Sequence, residues 1–300
     1  IMKKLIILCC FMAVSLPTLQ AQEDSVVVKK SGSWGFNFAN VGLSNWAAGG
    51  ENSISLGTVF NTKIVRTHGL NKWTNQLDFA LGGAKVGEQD FRKTDDNIIL
   101  ISKYAHQLSE EWSYSISGIF RTQVLEGFNF REDPLNAGEE IREKISNFMA
   151  PGYLNVNLGL SYDPSDALTI SFAPAAGKFT FVSDDELSAA GAYGVDPGEK
   201  FRAEFGTNLL IVLDFPVAEN IKFQSNINFF TGYSTFGNVD TNLETLLVMK
   251  VNEWFNATFG TQLIYDDDIL IDQGDGGPPR RAIQFKHVLN FGVNFSLFSN

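Results

Sequence analysis

Apolar residues recur at every second position through most of this chain. From Phe285 to Leu297 the odd positions hold Phe, His, Leu, Phe, Val, Phe and Leu, and the even positions hold mainly Gln284, Lys286, Asn290, Asn294 and Ser296. Phe201 to Leu213 repeats the pattern, with Arg202, Glu204, Asn208 and Asp214 on the even set. Ile221 to Phe229 sets Lys222, Gln224, Asn226 and Asn228 against an apolar odd set, and Trp112 to Val124 does likewise with Ser113, Ser115, Ser117, Arg121 and Gln123. Such alternation specifies strands with one apolar and one polar face. Twelve runs show it: 34–42, 53–66, 72–83, 97–107, 112–125, 153–162, 167–182, 200–214, 220–230, 241–251, 254–265 and 283–298.

The connections decide what the strands enclose. After the first strand, short links (66–71, 108–111, 163–167, 215–220, 251–253) alternate with long ones (84–96, 126–152, 183–199, 231–240, 266–282). An even number of strands with short turns at one end and long loops at the other is the pattern of a transmembrane barrel. A soluble sandwich would have to bury every apolar face in one core. Twelve strands enclose more space than such side chains fill, since barrel diameter grows with strand number. The 26 phenylalanines fit better as a lipid-facing band, with Trp73, Trp112 and Trp254, each just after a short turn, in an interfacial girdle. The predicted fold is an all-β, antiparallel up-and-down transmembrane barrel of about 12 strands, with short periplasmic turns and long extracellular loops.

The first residues agree with export. Lys3 and Lys4 precede an apolar run from Leu5 to Leu16, too short to cross a bilayer as a helix. Residues 1–21 therefore read as a cleaved signal peptide, 22–33 as a short periplasmic tail and 34–300 as the barrel. Cys9 and Cys10 leave with the signal, so disulfides and Cys-ligated metals are excluded from the mature chain. The net charge of −11, more negative once Lys3 and Lys4 are removed, offers no footprint for nucleic acid. The expected location is the bacterial outer membrane, multi-pass, with both termini periplasmic.

The segments LSNWAAGGENS (43–53), FMAPGYLNVNLGLSYDP (148–164), GAYGVDPGEKFRAEFG (191–206) and LIYDDDI (263–269) together resemble an uncharacterised Bacteroidota outer-membrane β-barrel family. The resemblance runs from about Trp34 to Phe298. It implies an outer-membrane barrel and supplies no catalytic residues. Asp24-Ser25-Val26 also resembles a short O-glycosylation motif of that phylum. Gly49 and Gly50 within LSNWAAGG suit a tight reversal after the first strand, with Trp46 in the outer girdle or over the barrel mouth.

Candidate chemistry is sparse. His68 lies in a short turn, His106 ends a strand, His287 has no serine at the matching parity on its own strand, and no G-x-S-x-G, phosphate loop or H-E-x-x-H occurs. No catalytic residue, cofactor or metal site is expected. Asp266, Asp267, Asp268, Asp272 and Asp275 supply hard oxygen ligands of the kind Ca²⁺ takes, but their spacing is not that of a calcium loop, and a solvated loop is the preferred reading. Residues 138–149 place Ile141, Ile145, Phe148 and Met149 on one helical face, so this loop is expected to carry a short amphipathic helix.

The lumen is the remaining place for function. Lys63, Asp78, Lys103, Arg121, Arg202, Glu204, Lys222, Glu244, Lys250 and Lys286 lie on the polar parity, as do Gln123 and Asp214. Paired across the barrel, such charges close it; spread out, they line a solute path. Pro174 in the seventh run predicts a bulge or an edge. The preferred functional reading is a structural or accessory subunit of an outer-membrane complex, its partners being lipid and other outer-membrane proteins held through loops 126–152 and 183–199. The alternative is a small-solute pore, and a membrane-embedded hydrolase comes third.

Overall fold

The computed structural model describes residues 26–41, 51–133, 136, 140–271 and 277–299. Residues 1–25, the LSNWAAGG segment, Asp272 and Asp275 lie outside these. The strands are β1 (Val27–Val41), β2 (Ser53–His68), β3 (Asn71–Val86), β4 (Arg92–Gln107), β5 (Trp112–Thr122), β6 (Gly127–Glu132), β7 (Glu140–Ser146), β8 (Gly152–Ser165), β9 (Leu168–Phe181), β10 (Phe201–Ala218), β11 (Ile221–Gly232), β12 (Asp240–Lys250), β13 (Phe255–Tyr265) and β14 (Gln284–Ser299). One short helix, α1 (Asp185–Ala189), and a 3₁₀ turn at Ala192–Gly194 lie between β9 and β10.

Twelve strands close a barrel in the order β1-β14-β13-β12-β11-β10-β9-β8-β5-β4-β3-β2, and β6 pairs only with β7. Every junction is antiparallel, including the closing pair of β1 with β14. Closure removes the free edges that an open sheet would present to lipid. No helix among the described residues is long and apolar enough to cross a membrane; the strands do the crossing. The barrel strands run from 11 residues in β5 to 18 in β10, enough for the roughly 9–11 that a tilted strand needs to span the bilayer.

Register fixes which side chains share a face. Trp34, Phe36 and Phe38 of β1 stand opposite Phe60, Thr58 and Leu56 of β2. The same parity carries round to Phe205 and Phe285, exposed by 62% and 64%, and to Leu289, Phe291 and Phe295. This continuous exposed apolar band is the lipid-facing surface. At the end with short turns, Trp112 packs on Tyr162 with ring centroids 4.8 Å apart. Nearby, Trp73 Nε1 donates to Ser102 Oγ at 3.0 Å and Tyr104 Oη to Asn71 Oδ1 at 2.9 Å. Their rings meet the apolar band while their polar atoms find partners, as girdle aromatics do.

Alternation breaks phase in the middle of β9. Leu168, Ile170 and Phe172 face outward, and beyond Pro174 the outward set becomes Phe179 and Phe181. Phe172 pairs with Leu160 and Ala175 with Leu158, leaving Pro174 unpaired in a bulge. Gly159 faces this bulge; a Cβ there would lie 2.1 Å from the Phe172 carbonyl oxygen, so only glycine admits the close approach.

Three expectations are corrected. Where a helix is expected over 138–149, the described residues 140–149 form none: β7 pairs with β6 as a hairpin. Ile141 and Ile145 are four apart, a spacing that shares one face of a strand as readily as of a helix. Phe128 and Phe130 of β6 stand opposite Lys144 and Arg142, with the Arg142 guanidinium 3.6 Å over the Phe128 ring and that of Arg92 4.1 Å over Phe130. The long loop 84–96 shrinks to 87–91, because β3 and β4 continue pairing to Ala84 and Arg92. The barrel also takes in residues 27–33, expected as tail, because Val27 to Ser33 pair with Thr67 to Asn61 of β2.

Candidate functional site: the barrel lumen

The polar parity points inward, as its cross-barrel contacts show. Arg121 on β5 meets Glu244 on β12 at 2.5 Å, although four strands (β8, β9, β10 and β11) separate them in the sheet. Glu244 Oε1 also accepts from Asn242 Nδ2 at 3.1 Å and from Gln262 Nε2 at 3.0 Å. The result is a polar bar across the lumen. Lys286 on β14 reaches Asp95 on β4 at 3.2 Å and makes a second crossing.

At the end with long connections, Lys178 on β9 sits among three carboxylates: Asp240 at 2.6 Å, Asp266 at 2.9 Å and Glu204 at 3.9 Å. Arg202 beside it bonds Glu204 at 3.0 Å and Asp268 at 2.7 Å, and donates to the Gly194 carbonyl at 3.0 Å. Arg281 holds Asp267 at 3.0 Å. Asp240, Asp266 and Asp268 have one carboxylate oxygen each within 4.8 Å of the others. Lys178 and Arg202 already supply counter-charge there, so the acidic stretch folds inward as an ion-paired turn instead of standing in solvent.

The two connections beside this mouth form a cap. Ala150, Val182, Leu187 and Val195 make a small buried core with Tyr193 and Ala192 packed on it. Asp184 accepts from Asn147 Nδ2 at 2.8 Å and Lys144 Nζ at 3.0 Å, and caps α1 through the N–H groups of Glu186 and Leu187. These donors, Asn147 foremost, hold its carboxyl down at about 2. The same contact, Asp184 first and then Glu186, raises Lys144 above the usual lysine value. Tyr193 donates its hydroxyl to the Ile145 carbonyl and is pushed up to about 12 by burial.

The other half of the lumen is arranged differently. Lys222 pairs with Asp214 at 2.7 Å, and Gln224 donates to the same carboxylate. Asp78 accepts from Asn61 Nδ2 at 2.8 Å and Gln76 Nε2 at 2.6 Å. Lys103 Nζ donates to Ser161 Oγ at 2.8 Å and Ser171 Oγ at 3.4 Å. Among the described residues, Lys63, on the inward face of β2, and Lys250, at the turn end of β12, make no ion pair. Gln123 instead leaves the lumen wall and bonds the carbonyls of Asn147 and Ala150. Sequence reasoning missed Lys178 and the serine trio; the phase change at Pro174 was the signal that would have placed Lys178 inside.

These features define a transmembrane β-barrel of the bacterial outer-membrane class with a charged lumen. A family model described as a protein of unknown function (DUF3078) matches residues 38–128. No curated protein matches the sequence. Among solved structures, an outer membrane channel from Pseudomonas putida F1 is similar at 10% identity and a TM-score of 0.40, over 95% of this chain and 100% of that one. The NanC porin gives 10% identity and 0.39, over 89% and 100%. The Pseudomonas putida toluene transporter TodX gives 11% and 0.35, over 92% and 90%. The fold assignment rests on the chain's own strand pairing.

Proposed function

We propose that the protein is a passive outer-membrane channel for small polar solutes, with the Arg121–Glu244 bar as its constriction. The supporting observation is hydration around groups that face inward. The Arg121 and Glu244 side chains keep 29% and 28% exposure while in contact with each other, and Lys286 and Asp95 keep 48% and 38%. A tightly packed plug would leave such pairs dry. Here water reaches them, and charged groups lining a wetted path select the ions that enter. Both termini lie on the periplasmic side in this reading, and the cap stands outside.

The test is conductance of the purified protein in a planar bilayer. A steady current is expected, and Arg121→Ala should change its ion selectivity because Glu244 then faces the path uncompensated. A silent wild type would overturn the channel. The accessory-subunit reading draws on the β6–β7 hairpin, which pairs with nothing in the barrel. Under that reading, removing residues 126–150 releases a co-purifying protein and leaves permeability unchanged.

A further inference from the structure

The two halves of the lumen differ in how their charges are balanced. Toward the long connections every inward cation has a carboxylate: Arg121, Lys178, Arg202 and Lys286 are all ion-paired. Toward the short turns, Lys63, Lys72, Lys103 and Lys250 lie on the inward parity. Among the described residues none of the four makes an ion pair. Of the acids on the strands of that half, Asp214 is paired with Lys222, while Asp78 is hydrogen-bonded by two amides and Asp163 by the Thr169 hydroxyl. Glu110, Glu111, Asp166, Glu219 and Glu253 sit in the short turns.

Lys103 is the best defined of these cations. Ser115 on β5, Ser161 on β8 and Ser171 on β9 bring three hydroxyls to one level, linked at 3.3 Å and 2.8 Å through Ser161. Lys103 Nζ lies over them, donating to Ser161 and Ser171. An ammonium has three donors and accepts nothing, so one N–H remains for the lumen. Its charged surroundings are Asp163 and Lys72, and neither contacts it. Ser115 and Ser161 are buried, so their hydroxyls form a floor on which the half-buried ammonium rests. Holding a half-buried cation without a carboxylate costs free energy. A serine network fixes its position without cancelling its charge.

We infer that Lys103 and its serine cradle form an anion station on the solute path, which makes the channel selective for small anions bearing carboxylate or other oxyanion groups. This deepens the channel reading and rests on it. The free N–H gives a charge-assisted bond to an entering oxyanion, and the unpaired Lys63, Lys72 and Lys250 add positive potential around it. The station does no chemistry; it lowers the barrier for one sign of charge.

The experiment uses the full-length protein in a planar bilayer under a KCl gradient, with acetate as the probe. Wild type should show a reversal potential on the chloride side, and added acetate should reduce the chloride current by competing for the station. Lys103→Gln should lower the chloride-to-potassium permeability ratio several-fold and remove the acetate effect, whereas Lys103→Arg should keep both. Lys222→Gln, which removes a lysine compensated by Asp214, should move the ratio far less. A conducting wild type that prefers cations, or a Lys103→Gln channel with unchanged selectivity, overturns the station and leaves the channel standing. Absence of any current defeats the channel reading itself. Should Lys103→Gln fail to assemble, the wild-type reversal potential and acetate competition still decide.

Discussion

Phe291 and Asn290 are chain neighbours with opposite surroundings. Phe291 is 55% exposed on the lipid-facing band midway along β14, and Asn290 lies across from Thr258 on the lumen face. Phe291→Arg should therefore cost about 2–4 kcal/mol, the range for arginine on the lipid face near the bilayer midplane. Asn290→Arg should assemble almost normally. The comparison is made by the folded fraction on reconstitution into lipid vesicles; equal losses would refute the assignment of faces. Position parity alone is too coarse for every such choice. Asn208 shares the inward parity, yet it is 5% exposed and exchanges two amide hydrogen bonds with Asn228, so arginine there would break a packed pair. This is the boundary of what the sequence discloses at single positions. Alternation tells which face Arg121 or Glu244 takes, because period two is written in the chain. That they meet across the lumen depends on the register of all twelve strand junctions that close the barrel, and no local pattern carries that.

The bulge in β9 and the cap above the mouth show two ways that a segment escapes its sequence pattern. Pro174 announces the bulge, but the glycine that accommodates it is on β8. Gly159→Ala should press a methyl group onto the Phe172 carbonyl and destabilise by about 1–3 kcal/mol, the usual penalty for overpacking. Gly118→Ala on β5 is the control, since nothing lies within 4 Å of the added carbon. Equal denaturant midpoints for the two variants would remove the close approach from the account. The cap was hidden because its ties join separate connections: Asp184 follows β9, while Asn147 and Lys144 belong to the β7–β8 region. Its pH response follows from Asp184. The folded carboxyl at about 2 lies below the unfolded value of about 3.9. The contribution is therefore complete above about 3.9 and disappears as pH falls through about 2. Amide exchange across residues 183–200 should stay slow at mildly acidic pH and quicken near pH 2. Asp184→Asn should loosen this segment at every pH. A wild-type cap that already opens at mildly acidic pH would show that Asp184 is not its tie.

Because strand count is even, both ends of the barrel chain lie on one side of the membrane, with the short turns, and the cap lies on the other. β1 begins and β14 ends near the 68–71, 107–112 and 165–168 turns, while the 122–152 and 181–201 connections project oppositely. This geometry turns a question about orientation into one measurement on two positions. Asp185, whose side chain is 91% exposed at the start of α1, reports the cap side, and Ser165, exposed at the β8–β9 turn, reports the other. With the termini periplasmic, a cysteine at Asp185 should react with a membrane-impermeant maleimide on intact cells, and one at Ser165 should react only after the outer membrane is opened. The reverse pattern would invert the barrel and place the lysine-rich half of the lumen at the cell surface. Labelling at both positions on intact cells would deny that the strands cross the membrane at all. If the termini are periplasmic and the barrel is the channel proposed above, a solute from outside meets first the carboxylate-rich cluster around Lys178 and Arg202, then the Arg121–Glu244 bar, and last the unpaired lysines. In that reading the outer cluster sets four carboxylates against two cations. A preference for anions would then have to come from the inner half, where Lys63, Lys72, Lys103 and Lys250 stand without ion pairs among the described residues, and the Lys103→Gln measurement tests that half alone.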